Sequence, residues 1–312
     1  MPETNTPSTF DPRPAEMTDA SERILRFACE AITDGFDCVL ATLVEIRGGA
    51  ARALGAQMAI RDDGLYCGYV SGGCIEQAMA AETLETFRTG KDRFVLFGAG
   101  SSYFDLQLPC GGGLTIHLHR LKGTHVLDEV LKRLAVRERI SMNFKPDIGM
   151  LETGPGSGTP RWEAESFIRP YLPQTRIIFW GRSIEAVATS RLAAAAGFDA
   201  AIIDPSHSDF HQVETCDQDT AIVLLHHDVD GEIPFLTSAL RSNAFYIGAL
   251  GSYRSHQRRC GDLRSLGFRD EVIGRIKAPI GIFPKGRDSS SIALSVLADI
   301  AATSTKRALD NG

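Results

Sequence analysis

The stretch RIIFWGRSIEAVATSRLAAAAGFDAAIID, Arg176 to Asp204, sets the architecture of the C-terminal half of the chain. RIIFW is a short apolar run of the kind that makes a buried strand. SIEAVATSRLAAAAG then reads as a helix that Gly197 ends. AAIID, Ala200 to Asp204, is a second strand. Strand, helix and strand in so short a span make a parallel βαβ unit. Downstream the alternation continues. AIVLLHH reads as a strand, Pro234 to Leu240 as a helix, FYIGALG as a strand, RSHQRRCGDLRSLG as a helix and SSSIALSVLADIAATST as a C-terminal helix. This order predicts a doubly wound parallel sheet over 175–312.

The turns at the strand ends are where such a sheet binds ligands. After the first strand, a dinucleotide-binding turn carries G-x-G-x-x-G/A and an acidic residue about 20 positions on. Gly181, Ala186 and Asp204 are in register with that pattern. Ser183 replaces the middle glycine, which lets a backbone approach a pyrophosphate. Its hydroxyl offers a hydrogen bond to phosphate instead, and Arg182 adds a positive charge. The pattern suits the fold better than it suits a nicotinamide dinucleotide. His226, His227 and Asp228 end a later strand, where they read as an acid–base or ligand-orienting pair or as a solvated loop. Gly248, Gly251, Ser252 and Arg254 lie in a turn suited to an anion at a helix N-terminus. Arg258 and Arg259 read as solvated helix positions.

The upstream chain is of another kind. Residues 1–20 are polar and proline-rich, lack the features of a secretion signal, and read as a disordered tail. Over 21–145, helices (Ser21 to Thr33; after Cys74 to about Gly90; Val126 to Ile140) mix with strands (Cys38 to Ile46; two around Asp62-Asp63-Gly64; Phe94 to Gly98; Leu114 to Leu118) in an α+β domain. TGPGSGTPRW, Thr153 to Trp162, marks a linker placed at 146–174. Within this domain, GYVSGGCIEQAMAAE bares the approach to Cys74 with Gly72 and Gly73. Ile75, Met79 and Leu84 lie on one helical side, and Glu76, Gln77 and Glu82 on the other. A thiol at the positive end of a helix, beside free N–H groups, is favoured as thiolate. Cys110, before Gly111, Gly112 and Gly113, repeats the arrangement. Two such thiols suit a soft metal or sulfur transfer, or else two structural turns.

The 312 residues carry a net charge of -6 and a pI near 5.8, which argues against a nucleic-acid partner. No run approaches the roughly 18 apolar residues of a membrane span. Seven scattered cysteines, an odd number, fit reduced thiols in a cytoplasm rather than a disulfide framework. Cys29, Cys38, Cys67 and Cys216 read as core.

VLATLVEIRGGAARALGAQMAI, SGGCIEQA and LPCGGGLTIHL resemble the N-terminal domain of the XdhC/CoxI family. RLAAAAGFDAAIIDP, HHDVD, YIGALGSYRS and APIGIFPKGRDSSSIALSVLADI resemble its C-terminal Rossmann domain. The likeness runs in order from about 38 to 302. It implies a maturation factor more than a turnover enzyme. Such a factor binds the molybdenum cofactor (molybdopterin), supports its sulfuration by a cysteine desulfurase, and inserts it into an apo molybdenum hydroxylase of the xanthine, aldehyde or CO dehydrogenase type. By the resemblance Cys74 and Cys110 are the two motif cysteines, catalytic and facing molybdenum, within Gly72, Gly73, Gly111 and Gly112. Gly181, Ala186 and Asp204 match the nucleotide turn, and His227 and Asp228 the strand-end pair. The expected cofactor-binding set adds Arg182, Ser183, Gly248 and Ser252, with FAD or NAD(P) as occupants of the second domain. The family also suggests a homodimer. This chain departs from the family at three places. Gly48-Gly49-Ala50-Ala51 replaces Gly-Ser-Ser-Pro, Gly181-Arg182-Ser183-Ile184 replaces Gly-Ala-Gly-His, and no acidic residue follows A-P-I-G. The alternatives are an NAD(P)- or FAD-dependent oxidoreductase that uses Asp204 for the ribose, and a cofactor-free assembly scaffold.

Overall fold

The structure is a computed structural model that describes residues 10–99, 101, 111–206, 210–226, 231–283, 286 and 288–310. The chain forms two compact units, Met1–Leu172 and Pro173–Gly312.

In the first unit the elements run β1 (Arg13–Glu16), α1 (Ser21–Thr33), β2 (Cys38–Arg47), β3 (Gln57–Arg61), β4 (Leu65–Gly68), α2 (Glu76–Thr89), β5 (Arg93–Gly98), β6 (Gly113–Arg120), α3 (His125–Ala135), β7 (Ile140–Lys145), β8 (Met150–Pro155), β9 (Arg161–Glu163) and β10 (Ser166–Tyr171). A six-stranded sheet has the order β1-β4-β3-β2-β6-β5, and a four-stranded sheet the order β8-β7-β10-β9. CVLATLVEIR is apolar on both faces because both faces of its sheet are covered. Val39, Ala41 and Leu43 pack with Ile116, Leu118 and with Met79 of α2. Cys38, Leu40 and Val44 pack with Leu25 of α1, Leu127 of α3 and Phe144 and Phe167 of the four-stranded sheet.

Two expectations change here. Within the tail expected to be disordered, residues 13–16 form an edge strand parallel to β4. Arg13 pairs with Asp63 at 3.2 Å, and Arg23 pins Glu16 at 2.8 Å. An edge position tolerates Pro14. The expected linker at 146–174 contains β8, β9 and β10, and the units divide after Leu172. The Gly-Pro-Ser composition marks only the turn between β8 and β9, whereas Phe167 and Tyr171 are buried in the first unit's core.

The second unit runs β11 (Arg176–Trp180), α4 (Ile184–Ala195), β12 (Asp199–Ile203), α5 (His211–Glu214), β13 (Thr220–Leu224), α6 (Glu232–Arg241), β14 (Tyr246–Ala249), α7 (Tyr253–Ser265), α8 (Asp270–Ile273), β15 (Ile276–Lys277) and α9 (Ser289–Asp310). All neighbours in its five-stranded sheet, β12-β11-β13-β14-β15, are parallel. Residues of α4 and α9 cover one face, and those of α5 to α8 the other. The expected doubly wound sheet is present. Its order reverses between β11 and β13, which opens a ligand crevice at their C-terminal ends. Among the described residues no helix is long and apolar enough to cross a membrane.

Candidate functional site

Cys74 sits on an exposed turn between β4 and α2, one residue before the Ile75 N-cap. Gly73 has φ +98°, and a Cβ there would meet nothing within 4 Å. Glycine is therefore required by the backbone, and the approach to the thiol is open. Three backbone amides around this turn are taken up by a buried carboxylate. Glu76, read as part of a polar helix side, is buried beneath the turn. Its Oε1 accepts from the Val70 and Ser71 amides at 3.1 and 2.8 Å, and its Oε2 from the Ile75 amide at 3.1 Å. The Ser71 hydroxyl also donates to Glu76, at 2.9 Å, and its oxygen lies 3.4 Å from Cys74 Sγ. Glu76 thus places a buried carboxylate beneath the turn, where it takes the Val70, Ser71 and Ile75 amides.

The loop after β2 gathers the glycine turns. A Cβ on Gly72 would lie 3.6 Å from Ala51 Cβ, and one on Gly112 would lie 2.1 Å from the Gly49 carbonyl. Residues 48–51, a departure from the family pattern in the sequence, thus touch both the Cys74 turn and the Gly111–Gly112 turn. Arg47, opposite Gly113 in the sheet, is exposed here and has no ion pair among the described residues. Sequence reasoning missed Arg47 and Glu76. The Gly48-Gly49 pair next to Arg47, and the position of Glu76 at a helix head, were the available signals. Cys110, His227 and Asp228 lie outside the described residues.

In the second unit the strand-end groups are engaged with one another. A Cβ on Gly181, at φ +145°, would lie 2.3 Å from the Leu225 carbonyl oxygen. Ser183 caps α4 by accepting from the Ala186 amide, and it donates to Leu225 O at 2.9 Å. Arg182 holds Asp204 at 2.7 Å, and the Ser206 amide and hydroxyl bond the same oxygen. The Arg182 hydrogen bond, followed by those of Ser206, holds the Asp204 carboxyl well below the usual range. Of the expected nucleotide-turn residues, Arg182, Ser183 and Asp204 are therefore hydrogen-bonded to one another or to neighbouring backbone. Gly248 lies inside β14, where a Cβ would be 2.5 Å from Ile280 Cδ1, so packing alone requires glycine. Ser252 caps α7.

Residues 31–98 match the model of the XdhC and CoxI family, and residues 177–300 match that of the XdhC Rossmann domain. A molybdenum cofactor insertion chaperone, PaoD of Escherichia coli, is 48% identical over 292 residues, 93% of this chain and 91% of that protein. The chain belongs to the XdhC and CoxI family. A probable xanthine dehydrogenase subunit of Bacillus subtilis is 24% identical, covering 87% of this chain and 94% of that protein. A crystal structure of a xanthine dehydrogenase from Bacillus halodurans shares the fold, with a TM-score of 0.71 at 20% identity over 93% of this chain and 97% of that one.

Within this XdhC-type Rossmann domain the sequence misplaced one residue. Arg259, expected to be solvated, is 1% exposed. It bonds Glu232, also buried, at 2.5 and 2.9 Å, and Leu250 O at 2.7 Å. A paired, bidentate partner makes a buried guanidinium tolerable. The polar pattern of RSHQRRC contains no sign of that partner, which comes from α6.

Proposed function

We propose that this chain binds the molybdenum cofactor as cargo and delivers it to an apo molybdenum hydroxylase, with Cys74 as the protein's contact to the metal or its terminal sulfur. The observation that carries this reading is the exposed Cys74 thiol on a turn cleared by Gly72 and Gly73. Thiolate sulfur is a soft ligand suited to such a centre. The exposed Arg47 guanidinium suits the pterin phosphate, which it can bind through charge-assisted hydrogen bonds. The description of PaoD as an insertion chaperone, at 48% identity over most of both chains, supports the same reading. Cys110, next in sequence to the Gly111–Gly112 turn, is the second sulfur of the proposal. A cysteine desulfurase as sulfur donor, a cytoplasmic homodimer and an FAD or NAD(P) occupant remain parts of the proposal that rest on the family likeness.

The oxidoreductase alternative needs Asp204 for a ribose, which would have to exchange with Arg182 and Ser206 at that exposed carboxylate. The scaffold alternative gives the bared thiol no task. The deciding experiment compares wild type, Cys74→Ala and Cys74→Ser. It measures molybdenum and pterin bound per chain, and activation of the apo-hydroxylase. Activation is expected to fall at least tenfold in both variants while the fold is kept. Unchanged cofactor binding together with unchanged activation would overturn the role of Cys74.

A further inference from the structure

Strand β6 leads away from the Cys74 end. From Gly113 to Arg120 it covers roughly 25 Å of extended chain. At its far end lies a cavity of about 470 Å³ lined by His119, Lys122 and His125 and by an apolar wall that includes Val126, Ile148 and Met150. That volume is in the range of small-ligand sites.

The cavity has a built polar side. His119 is 3% exposed and lines it. Asp92 Oδ2 lies 2.8 Å from His119 Nδ1 and 3.0 Å from His117 Nε2. Burial works to raise the Asp92 carboxyl, but the hydrogen bonds of His117 and then His119 overcome it and hold it at about 2. An ionised carboxylate accepts from both rings, so the Nδ1 of His119 carries a proton. Its Nε2 has no partner among the described residues. Phe144 packs edge-on against both imidazoles and fixes their planes.

Lys122 supplies the positive charge at the Gly149 mouth, where a Cβ on Gly149 would lie 3.7 Å from its Nζ and 3.8 Å from Asp92 Oδ1. Lys122 Nζ donates to Gly149 O at 3.0 Å across the mouth. His125 opens α3, whose N-terminus has no side-chain cap. The Asp128 amide donates to Thr124 O at 2.8 Å, and the amides ahead of it, at the positive end of the helix, favour an anion. Asp128, the acid of that first turn, is bonded to the Cys29 thiol.

We propose that this cavity binds a small organic hydroxy acid. Its carboxylate lies against Lys122 and the head of α3. Its neighbouring hydroxyl donates to His119 Nε2, and its apolar body packs on Ile148 and Met150. An anion alone satisfies Lys122 and the head of α3 and leaves the histidine acceptor without a donor. A hydroxyl alone does the reverse.

The test is calorimetric titration of the full chain with mandelate, phenylacetate and benzyl alcohol. Mandelate is expected to bind. Phenylacetate, lacking the hydroxyl, binds about fivefold more weakly. Benzyl alcohol, lacking the charge, binds at least about tenfold more weakly. In His119→Leu, which has no acceptor, the preference for mandelate over phenylacetate is lost, whereas His119→Gln, whose amide can donate to Asp92 and accept from the hydroxyl, keeps it. In Lys122→Ala, an exposed and structurally mild change, both acids weaken alike. Cys74→Ala leaves mandelate binding unchanged, which separates this site from the cargo turn. No mandelate binding, equal binding of the three probes, or wild-type affinities in Lys122→Ala overturns the proposal.

Discussion

The Cys74 turn, in the first unit, and the Gly181 turn, in the Rossmann unit, are alike in sequence. Each places glycine just before a helix. In space they do opposite things. The Cys74 turn gives its Val70, Ser71 and Ile75 amides to buried Glu76 and leaves its thiol exposed, beside open space at Gly73. The Gly181 turn joins the ends of three strands. The Gly181 amide donates to Ile203 O, the Leu225 amide to Trp180 O, and the Ser183 hydroxyl to Leu225 O. A glycine before a helix therefore marks either presentation or close packing, and the atoms around the missing Cβ decide which.

Four changes test that contrast, in descending order of effect. Gly181→Ala forces a Cβ onto the Leu225 carbonyl at a backbone angle that side chains avoid. It is expected to cost the second unit at least about 3 kcal/mol in denaturant unfolding. A loss below about 1 kcal/mol would break the comparison. Next comes acid. The Asp92 side chain is 6% exposed and its carboxyl lies below its ordinary value, so the unfolded chain binds its proton first as pH falls. Its stabilisation is complete above about pH 4 and is lost towards pH 2, a change of roughly 2 kcal/mol confined to the first unit. Burial also keeps His117 below its ordinary value, so the same unit begins to lose stability below about pH 6.5. Asp204 is held low as well, but at an exposed pair that contributes little. Acid titration of wild type against Asp92→Asn checks the sign, since the variant's unfolding should be flatter between pH 4 and pH 2.

Glu76→Gln places an amide donor against backbone donors beneath the Cys74 turn. It is expected to cost about 2 kcal/mol and to change the alkylation rate of Cys74. An unaltered rate would mean that the carboxylate does not organise the turn. The smallest effect belongs to Gly73→Ala, where only the positive φ is strained and no neighbour is displaced. About 1 kcal/mol is expected. A loss as large as that of Gly181→Ala would show that the turn is packed after all.

Several features were legible because they depend on local chemistry. The apolar runs and the alanine-rich helix of Arg176 to Asp204 carry the period of a βαβ unit wherever they occur. Gly-Gly-Cys before a helix announces a bared thiol. Asp62-Asp63-Gly64 announces the hairpin that Gly64 makes at φ +91°. Other features were decided only when distant segments met. Residues 13–16 become a strand because β4 offers a free edge, and Arg259 is buried because Glu232 arrives from another helix. Glu76 turns inward because the amides of Val70 and Ser71 fold back over it. The pairing of His119 with Asp92 joins two segments across the sheet. Sequence periodicity reports which face of an element is apolar. It does not report which polar group will find a partner inside, because that depends on tertiary geometry and on the cost of leaving a buried donor or acceptor unpaired.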